Sequence, residues 1–169
     1  MNIDCILAEQ LYAFRYKEEK DHELDRLIEL WKDVSYLYEF ARSNNVANKN
    51  AFVDKILRDA EELEDYLDEL EVQKGPYSHY FEPLQYTEFR KKLARQKGKK
   101  QRSRLRLYAI KIDKNCFVIT GGAIKMSQKM QDHPDTVREL RKLNRARQYL
   151  ENNGIFDSDS FFELLNVES

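Results

Sequence analysis

The sequence predicts an α+β protein in which helices pack on one face of a small, mostly antiparallel sheet. Three observations predict this class. Two stretches within the first 76 residues repeat apolar side chains every three or four positions, as amphipathic helices do. Two short apolar runs flank a polar turn near residue 113, which is a hairpin pattern. A further helical stretch follows residue 134 and carries its own capping signals.

The first 76 residues are predicted to form one strand and an acidic helical hairpin. Leu11–Tyr16 is a short run of aliphatic and aromatic residues, which favours a strand. His22–Asn44 carries one continuous apolar stripe and is predicted to be a single helix. Asn50–Glu71 is predicted to be the second helix, and Gly75-Pro76 ends the helical pattern.

Residues 77–130 are predicted to form a basic antiparallel meander of three strands. Tyr77–Leu84 is short, aromatic and extended in character. Gln96–Ser103 has almost no apolar content and is predicted to be a loop. Arg104–Ile112 and Cys116–Thr120 are predicted to be strands, joined by a turn that begins at Asp113.

Residues 131–169 are predicted to form C-terminal helices, which complete a single domain spanning residues 1–169. Thr136 and Glu139 have the spacing of a capping box at a helix start. Gly154 is well placed to end that helix. Ser160–Leu165 is apolar enough to be a short helix that docks on the rest of the fold.

Composition excludes several classes of protein. The two cysteines, Cys5 and Cys116, give no disulfide framework, and no apolar run approaches the ~20 residues of a membrane span. We therefore expect a cytoplasmic protein without a membrane partner. The histidines are too scattered for metal-ligand spacing, and no nucleotide-binding fingerprint is present. No metal and no small-molecule cofactor is expected.

The nearly neutral net charge conceals a strong asymmetry. Residues 1–76 carry 19 acidic and 10 basic side chains, a net charge of −9, whereas residues 77–169 carry +8. The stretch from Arg90 to Lys111 holds eleven Lys or Arg residues and no Asp or Glu. Such a separation indicates an acidic helical part and a basic part that meets an anionic partner.

Strand alternation predicts where the basic residues of this stretch point. In Arg104–Ile112 it directs Arg104, Arg106 and Tyr108 to one face, which we expect to be an open sheet surface. Arginine forks bind phosphates with two hydrogen bonds, and a tyrosine ring offers a stacking plane for an unpaired base. After the glycine pair, Lys125 and Lys129 share one side of a continued strand. With the loop from Lys97 to Arg102, these rows would form a positive cleft that contacts phosphates or nucleic acid.

His133 is the histidine best placed to act as an acid or a base, because it lies just beyond the basic strand. Its alternative reading is structural, as a residue of the turn before Pro134. The basic face of the following helix could contact RNA, an acidic partner or only water.

The run RLRLYAIKIDKNCFVITGGAIKMSQKMQDHPDTVRELRKLNRARQYL, from Arg104 to Leu150, resembles the last two strands and the following helix of RelE/HigB-type toxins from bacterial type II toxin–antitoxin systems. These toxins belong to the RelE/ParE superfamily. The predicted order of elements over the whole chain also resembles the RelE-like fold. The resemblance implies a ribosome-associated endoribonuclease that cleaves mRNA without a metal and is neutralised by a cognate antitoxin.

The resemblance also implies roles for particular residues. Arg106 and Lys125 would stabilise the phosphate and the transition state, and His133 or Tyr108 would carry the proton. The RNA backbone would be held by a set of basic residues in and beside the loop: Lys97, Lys99, Lys100, Arg102, Arg104 and Lys129.

Two alternatives use the same sequence differently. A non-catalytic module could bind RNA, DNA or the ribosome through the basic face. A protein-interaction subunit could instead use the acidic helical hairpin as its working surface.

Overall fold

Two layers of helices enclose a six-stranded mixed sheet in the computed structural model, which describes residues 1–126 and 134–168. The strands are β1 (Asn2–Leu7), β2 (Leu11–Arg15), β3 (Phe81–Pro83), β4 (Ala94–Gly98), β5 (Leu105–Asp113) and β6 (Cys116–Ile124). The helices are α1 (Glu23–Trp31), α2 (Val34–Ser43), α3 (Lys49–Gln73), α4 (Pro134–Asn152) and α5 (Ser158–Glu168). Short 3-10 turns at Tyr77–His79 and Tyr86–Arg90 precede and follow β3.

The sheet has the strand order β1-β2-β6-β5-β4-β3, and its pairings are antiparallel except between β2 and β6. The α+β class and the mostly antiparallel sheet are therefore confirmed. β1 was not predicted as a separate strand. It lies at the edge of the sheet and is only partly buried, so its sequence lacks the apolar run that marked the strands inside.

The predicted single helix His22–Asn44 is wrong, because the structure divides it into α1 and α2. Asp33 lies between the two helices with extended backbone, and its side chain accepts a hydrogen bond from the Tyr36 N–H at 3.2 Å. Asp competes with the helical backbone in this way and favours the cap position. The apolar stripe continues across the break, which is why periodicity alone concealed it. The predicted hairpin thus consists of three helices.

The predicted loop Gln96–Ser103 is also wrong in its first part, since β4 continues through Gly98. β4 pairs with β3 on one side and with β5 on the other, so its backbone is fully engaged despite a polar sequence. Gln96 is buried with only 3% of its surface exposed. Lys97 is therefore held in the sheet and does not belong to a loop.

Helices cover both faces of the sheet, which corrects the expectation of helices on one face. On one face Leu105, Leu107 and Ala109 pack against α1, α2 and α3. On the other face Tyr108 and Ile110 pack with residues of α4 and α5. Beyond Arg106 the residues of this second face, Tyr108, Ile110 and Ile112, are apolar or aromatic, and the C-terminal helices bury them.

Within residues 1–126 and 134–168, no helix combines the length and the apolar character needed to cross a membrane.

Candidate functional site

Four basic residues from three neighbouring strands meet at one end of the sheet. Lys97 ends β4 together with Gly98, and Lys99 follows at once; Arg106 lies on β5, and Lys125 follows β6. Register brings them together, because Lys97 is opposite Tyr108, two residues beyond Arg106 on the same face of β5. The Lys125 N–H donates to the Arg104 carbonyl at 2.7 Å, which holds Lys125 beside the same end of β5. We call these four residues the cationic cluster.

Two lysines of the cationic cluster, Lys97 and Lys125, have lowered pKa values. Burial lowers the pKa of Lys125, and the nearby charges of Arg106, Lys97 and Lys99 lower it further. Burial also lowers the pKa of Lys97, with Lys99 and Arg106 acting in the same direction. Each ammonium is thus partly removed from water and repelled by its neighbours, which disfavours the charged form.

One carboxylate forms ion pairs with this cluster among the described residues. Glu82 of β3 is the register partner of Lys97, and its Oε1 lies 3.9 Å from the Lys97 Nζ and 3.5 Å from the Lys99 Nζ. Its side chain is half exposed, so water screens the attraction. Glu82 therefore leaves most of the positive charge of the cluster uncompensated.

Arg106 is fixed by backbone carbonyls and is not neutralised by a carboxylate within the described part of the chain. Its Nη1 donates to the carbonyls of Ser103 and Leu105, at 2.6 and 2.9 Å. Its Nε is buried and has no hydrogen-bond partner among the described residues. Burial lowers the pKa of the guanidinium. The result is a rigid positive charge beside the lysines of the cluster.

Tyr108 does not lie on an open sheet face, so that prediction is wrong. Its side chain is fully buried, packed in the core that α4 and α5 complete. Burial raises the pKa of its phenol well above the ordinary value, which keeps it protonated. The hydroxyl is buried without a hydrogen-bond partner in the described residues. Tyr108 can neither stack on a base nor exchange a proton with solvent in this arrangement.

The remaining predicted RNA-binding residues divide between two places. Lys100 lies over the ring of Tyr66 on α3, with its Nζ 4.7 Å from the ring centroid. Arg104 lies over the ring of Phe52, and its backbone N–H donates to Asp59 at 3.1 Å. The Lys100 side chain therefore contacts α3, whereas the Arg104 side chain contacts both α3 and the cationic cluster, since its Nη1 donates to the Lys125 carbonyl at 3.2 Å.

Arg102 is exposed in the turn after β4 and has a positive φ of 66°. Lys129 and His133 lie outside the described residues.

A buried network of ion pairs on the opposite side of β6 was not found by sequence reasoning. Glu23 is 1% exposed; Arg26 donates to both of its oxygens at 2.8 Å, and Lys142 donates to Oε2 at 2.9 Å. The Lys142 Nζ also lies 3.2 Å from Glu139 Oε2 and 4.7 Å from the centroid of the Tyr16 ring. Burial raises the pKa of Glu139, although Lys142 opposes this. Glu23 and Lys142 are 119 residues apart, so no local pattern marks their pairing.

The fold and this site do not define a specific activity: they show an α+β protein in which four cations, with Glu82 as the ion-pair partner of two of them among the described residues, gather at one end of a mixed sheet. Such an arrangement can bind a polyanion and stabilise developing negative charge. No group of three or more metal-ligating side chains occurs in the described residues. A scan against protein-family models and searches of curated proteins and of solved structures each found no match.

Proposed function

We propose that the protein binds RNA through the cationic cluster and acts as a toxin-like, ribosome-associated endoribonuclease. One observation carries the proposal: Lys97, Lys99, Arg106 and Lys125 converge, and Glu82 is the only carboxylate that forms an ion pair with any of them in the described residues. Bringing like charges together costs stability, and a bound anion would relieve the repulsion. The side chain of Lys99 is 44% exposed and that of Lys97 is 18% exposed, so part of the cluster is accessible to phosphate groups.

RNA is the preferred polyanion because of the resemblance of residues 104–150 to RelE/HigB-type toxins. That resemblance concerns the same segment that supplies Arg106 and Lys125. The finer fold assignment, as a RelE-like domain, belongs to this proposal. So do a cytoplasmic location, where ribosomes and mRNA are found, and a cognate antitoxin that covers the cluster.

Cleavage would proceed without a metal. The RNA 2′-hydroxyl attacks the adjacent phosphorus and loses its proton, and the 5′-oxygen of the next nucleotide leaves with a proton. The products are a 2′,3′-cyclic phosphate and a 5′-hydroxyl. We assign stabilisation of the negative charge of the phosphorane to Arg106, whose guanidinium is held by backbone carbonyls and forms no ion pair among the described residues.

Lys97 and Lys125, whose pKa values are lowered by burial and by neighbouring cations, are the candidates for proton transfer among the described residues. A lysine whose pKa is shifted toward neutrality can accept the 2′-hydroxyl proton in one form and donate to the leaving oxygen in the other. We assign no catalytic role to Tyr108, because its side chain is buried. His133 remains a candidate from the sequence alone.

The test is an assay with a fluorescent single-stranded RNA and a DNA of the same sequence, with and without ribosomes. We expect cleavage of RNA and none of DNA, since DNA lacks the nucleophile. Arg106→Ala and Lys125→Ala should each reduce cleavage by about 100-fold or more, the scale of removing one stabilising or proton-transferring group. Lys114→Ala, an exposed lysine at the far end of the β5–β6 hairpin, is the matched control and should change nothing.

The outcomes separate the three functional classes. Cleavage that is unchanged in the Arg106 and Lys125 variants would overturn the assignment of the active site. RNA binding without cleavage would identify a non-catalytic module. Absence of RNA binding at low salt would contradict the proposal and favour a protein-interaction subunit.

A further inference from the structure

One edge of β6 is unpaired over its last residues. β2 pairs with β6 from Leu11↔Phe117 to Ala13↔Ile119, while β6 continues to Ile124. The bond from the Lys125 N–H to Arg104 fixes the phase of the β5–β6 ladder. Because alternate residues of an antiparallel strand bond to opposite sides, Gly122 and Ile124 direct their N–H and C=O groups away from β5. No strand in the described part of the chain pairs with them there.

A cavity of about 510 Å³ lies along this free edge. One wall comes from α1 and α2 and is largely apolar, with Leu27, Trp31 and Phe40 among its lining residues. The other wall comes from α4 and carries charges of both signs: Asp135, Arg138, Glu139, Lys142 and Arg145. The cavity is thus a slot between α4 on one side and α1 and α2 on the other, and its floor is a strand edge.

The two glycines of β6, Gly121 and Gly122, show which wall of the cavity each side chain of an added strand would face. A Cβ on Gly122 would lie 3.0 Å from both Leu27 and Trp31, so this position faces the apolar wall. A Cβ on Gly121 would lie 2.6 Å from Glu139, so this position faces the charged wall. Residues directly opposite each other in a sheet share a face. A strand added here would therefore point alternate side chains at the apolar wall and at the charged wall.

Because the charged wall carries carboxylates as well as cations, its preference depends on which charges are already paired. Arg138 pairs with Asp135 at 3.2 Å, and Lys142 is shared between Glu23 and Glu139. Arg145 is exposed and makes no ion pair among the described residues. A carboxylate entering the slot would thus meet an arginine that is free to bind it in a bidentate manner.

We propose that this slot binds an extended peptide segment of a partner protein, in which apolar and acidic residues alternate, as an additional strand beside β6. The backbone of the segment bonds to Gly122 and Ile124, its apolar residues contact the wall of α1 and α2, and its acidic residues contact Arg145. Strand addition to a free sheet edge is a general mode of peptide recognition. The proposal does not depend on RNA binding by the cationic cluster.

The experiment uses the full chain, labelled with 15N, and a synthetic hexapeptide in which Leu and Glu alternate. Hydrogen exchange of individual amides is followed by NMR at peptide concentrations up to about 1 mM. We expect slower exchange at Gly122 and Ile124, while Gly121 and Ala123, which already bond toward β5, are unchanged. The emission of Trp31, the single tryptophan of the chain, should shift in parallel.

Variants and control peptides make the test specific. Arg145→Glu should weaken binding at least about tenfold, since it places like charges together. Arg141→Glu changes an exposed arginine of the same helix that does not line the cavity, and it should leave binding intact. A peptide of the same composition with the three Leu and three Glu in separate blocks should bind far more weakly.

Three results would each overturn the proposal. These are absence of binding, uniform protection of all four β6 amides, and equal binding of the alternating and blocked peptides.

Discussion

Arg95 and Lys97 lie two residues apart on the same face of β4. A buried carboxylate pairs with Arg95, whereas Lys97 has no buried counter-charge among the described residues. The Arg95 side chain donates to Glu88 at 2.7 and 2.8 Å, and Glu88 is completely buried. Arg147 of α4 adds a further ion pair to Glu88 at 3.7 Å. Among the described residues, the ion-pair partner of Lys97 is the half-exposed Glu82, at 3.9 Å, and Lys97 has three cationic neighbours.

The contrast indicates that the charges of the basic stretch serve two purposes. Where β4 is covered by the C-terminal helices, a buried carboxylate neutralises the arginine, as a buried charge requires. At the end of the same strand the compensation ceases, although the chain is rich in acidic residues elsewhere. The uncompensated end is therefore the part of the sheet whose charge is best explained by an external anion.

The largest expected effect comes from breaking the compensated pair. Glu88→Gln should lower the free energy of unfolding by about 3 kcal/mol, because it leaves Arg95 buried without its counter-charge. Urea denaturation followed by circular dichroism measures the change. Glu82→Gln, at the uncompensated end, should stay within about 0.5 kcal/mol of the parent. Equal losses in the two variants would show that the two ends do not differ.

The same pair has a pH dependence. Burial acts to raise the pKa of Glu88, but its hydrogen bonds to Arg95 prevail, and the pKa lies below the ordinary 4.5. A carboxyl whose pKa is lowered by folding stabilises the fold above its unfolded pKa and loses that contribution as the pH falls. The stability gap between the parent and Glu88→Gln should therefore close in acid.

A smaller effect is expected at Tyr108, whose buried hydroxyl has no hydrogen-bond partner among the described residues. Tyr108→Phe removes the desolvation cost of that hydroxyl and should raise the free energy of unfolding by up to about 1 kcal/mol. The RNA cleavage rate should not change, because the phenol is withdrawn from solvent. A loss of cleavage with unchanged stability would show that Tyr108 takes part in catalysis.

The smallest effect is expected at Lys125. Because folding lowers the pKa of this lysine, its protonated form destabilises the fold at neutral pH. Lys125→Gln should raise the free energy of unfolding by no more than about 0.5 kcal/mol, since solvent screens the repulsion. The stability advantage of the variant over the parent should shrink as the pH rises toward 10.5, because the lysine of the parent loses its charge. Lys114→Gln is the control and should follow the parent; a destabilised Lys125→Gln would contradict the account.

Sequence reasoning captured the elements whose signals are local. The strand at Leu11, the β5–β6 hairpin with its turn after Asp113, and the helix ending before Gly154 all follow patterns within a few residues. The elements it missed depend on partners far away in the chain. β4 is a strand because β3 and β5 supply its hydrogen bonds, and its polar sequence gives no sign of that.

The candidate site shows the same division. Alternation correctly predicted that Arg106 and Tyr108 share one face of β5. It could not reveal that α4 and α5 bury Tyr108, whereas Arg106 lies outside that core and is only partly buried. The apolar residues Ile110 and Ile112 on that face were the available signal, because an open surface would not carry them. Pairing of Glu23 with Lys142 could not be predicted, since it depends on the path of the whole chain.

The most direct test of the central claim is the salt dependence of RNA binding. The logarithm of the binding constant should fall linearly with the logarithm of salt concentration, with a slope of about −0.7 for each phosphate neutralised on a single strand. Four phosphate contacts from the cationic cluster predict a slope near −2.8, by the same relation.

Fluorescence anisotropy with a labelled single-stranded RNA measures this slope for the parent and its variants. The account predicts that Arg106→Ala and Lys125→Ala each make the slope shallower by about 0.7, whereas Lys114→Ala leaves it unchanged. An unchanged slope in both cluster variants would contradict the claim that the cationic cluster binds the RNA backbone.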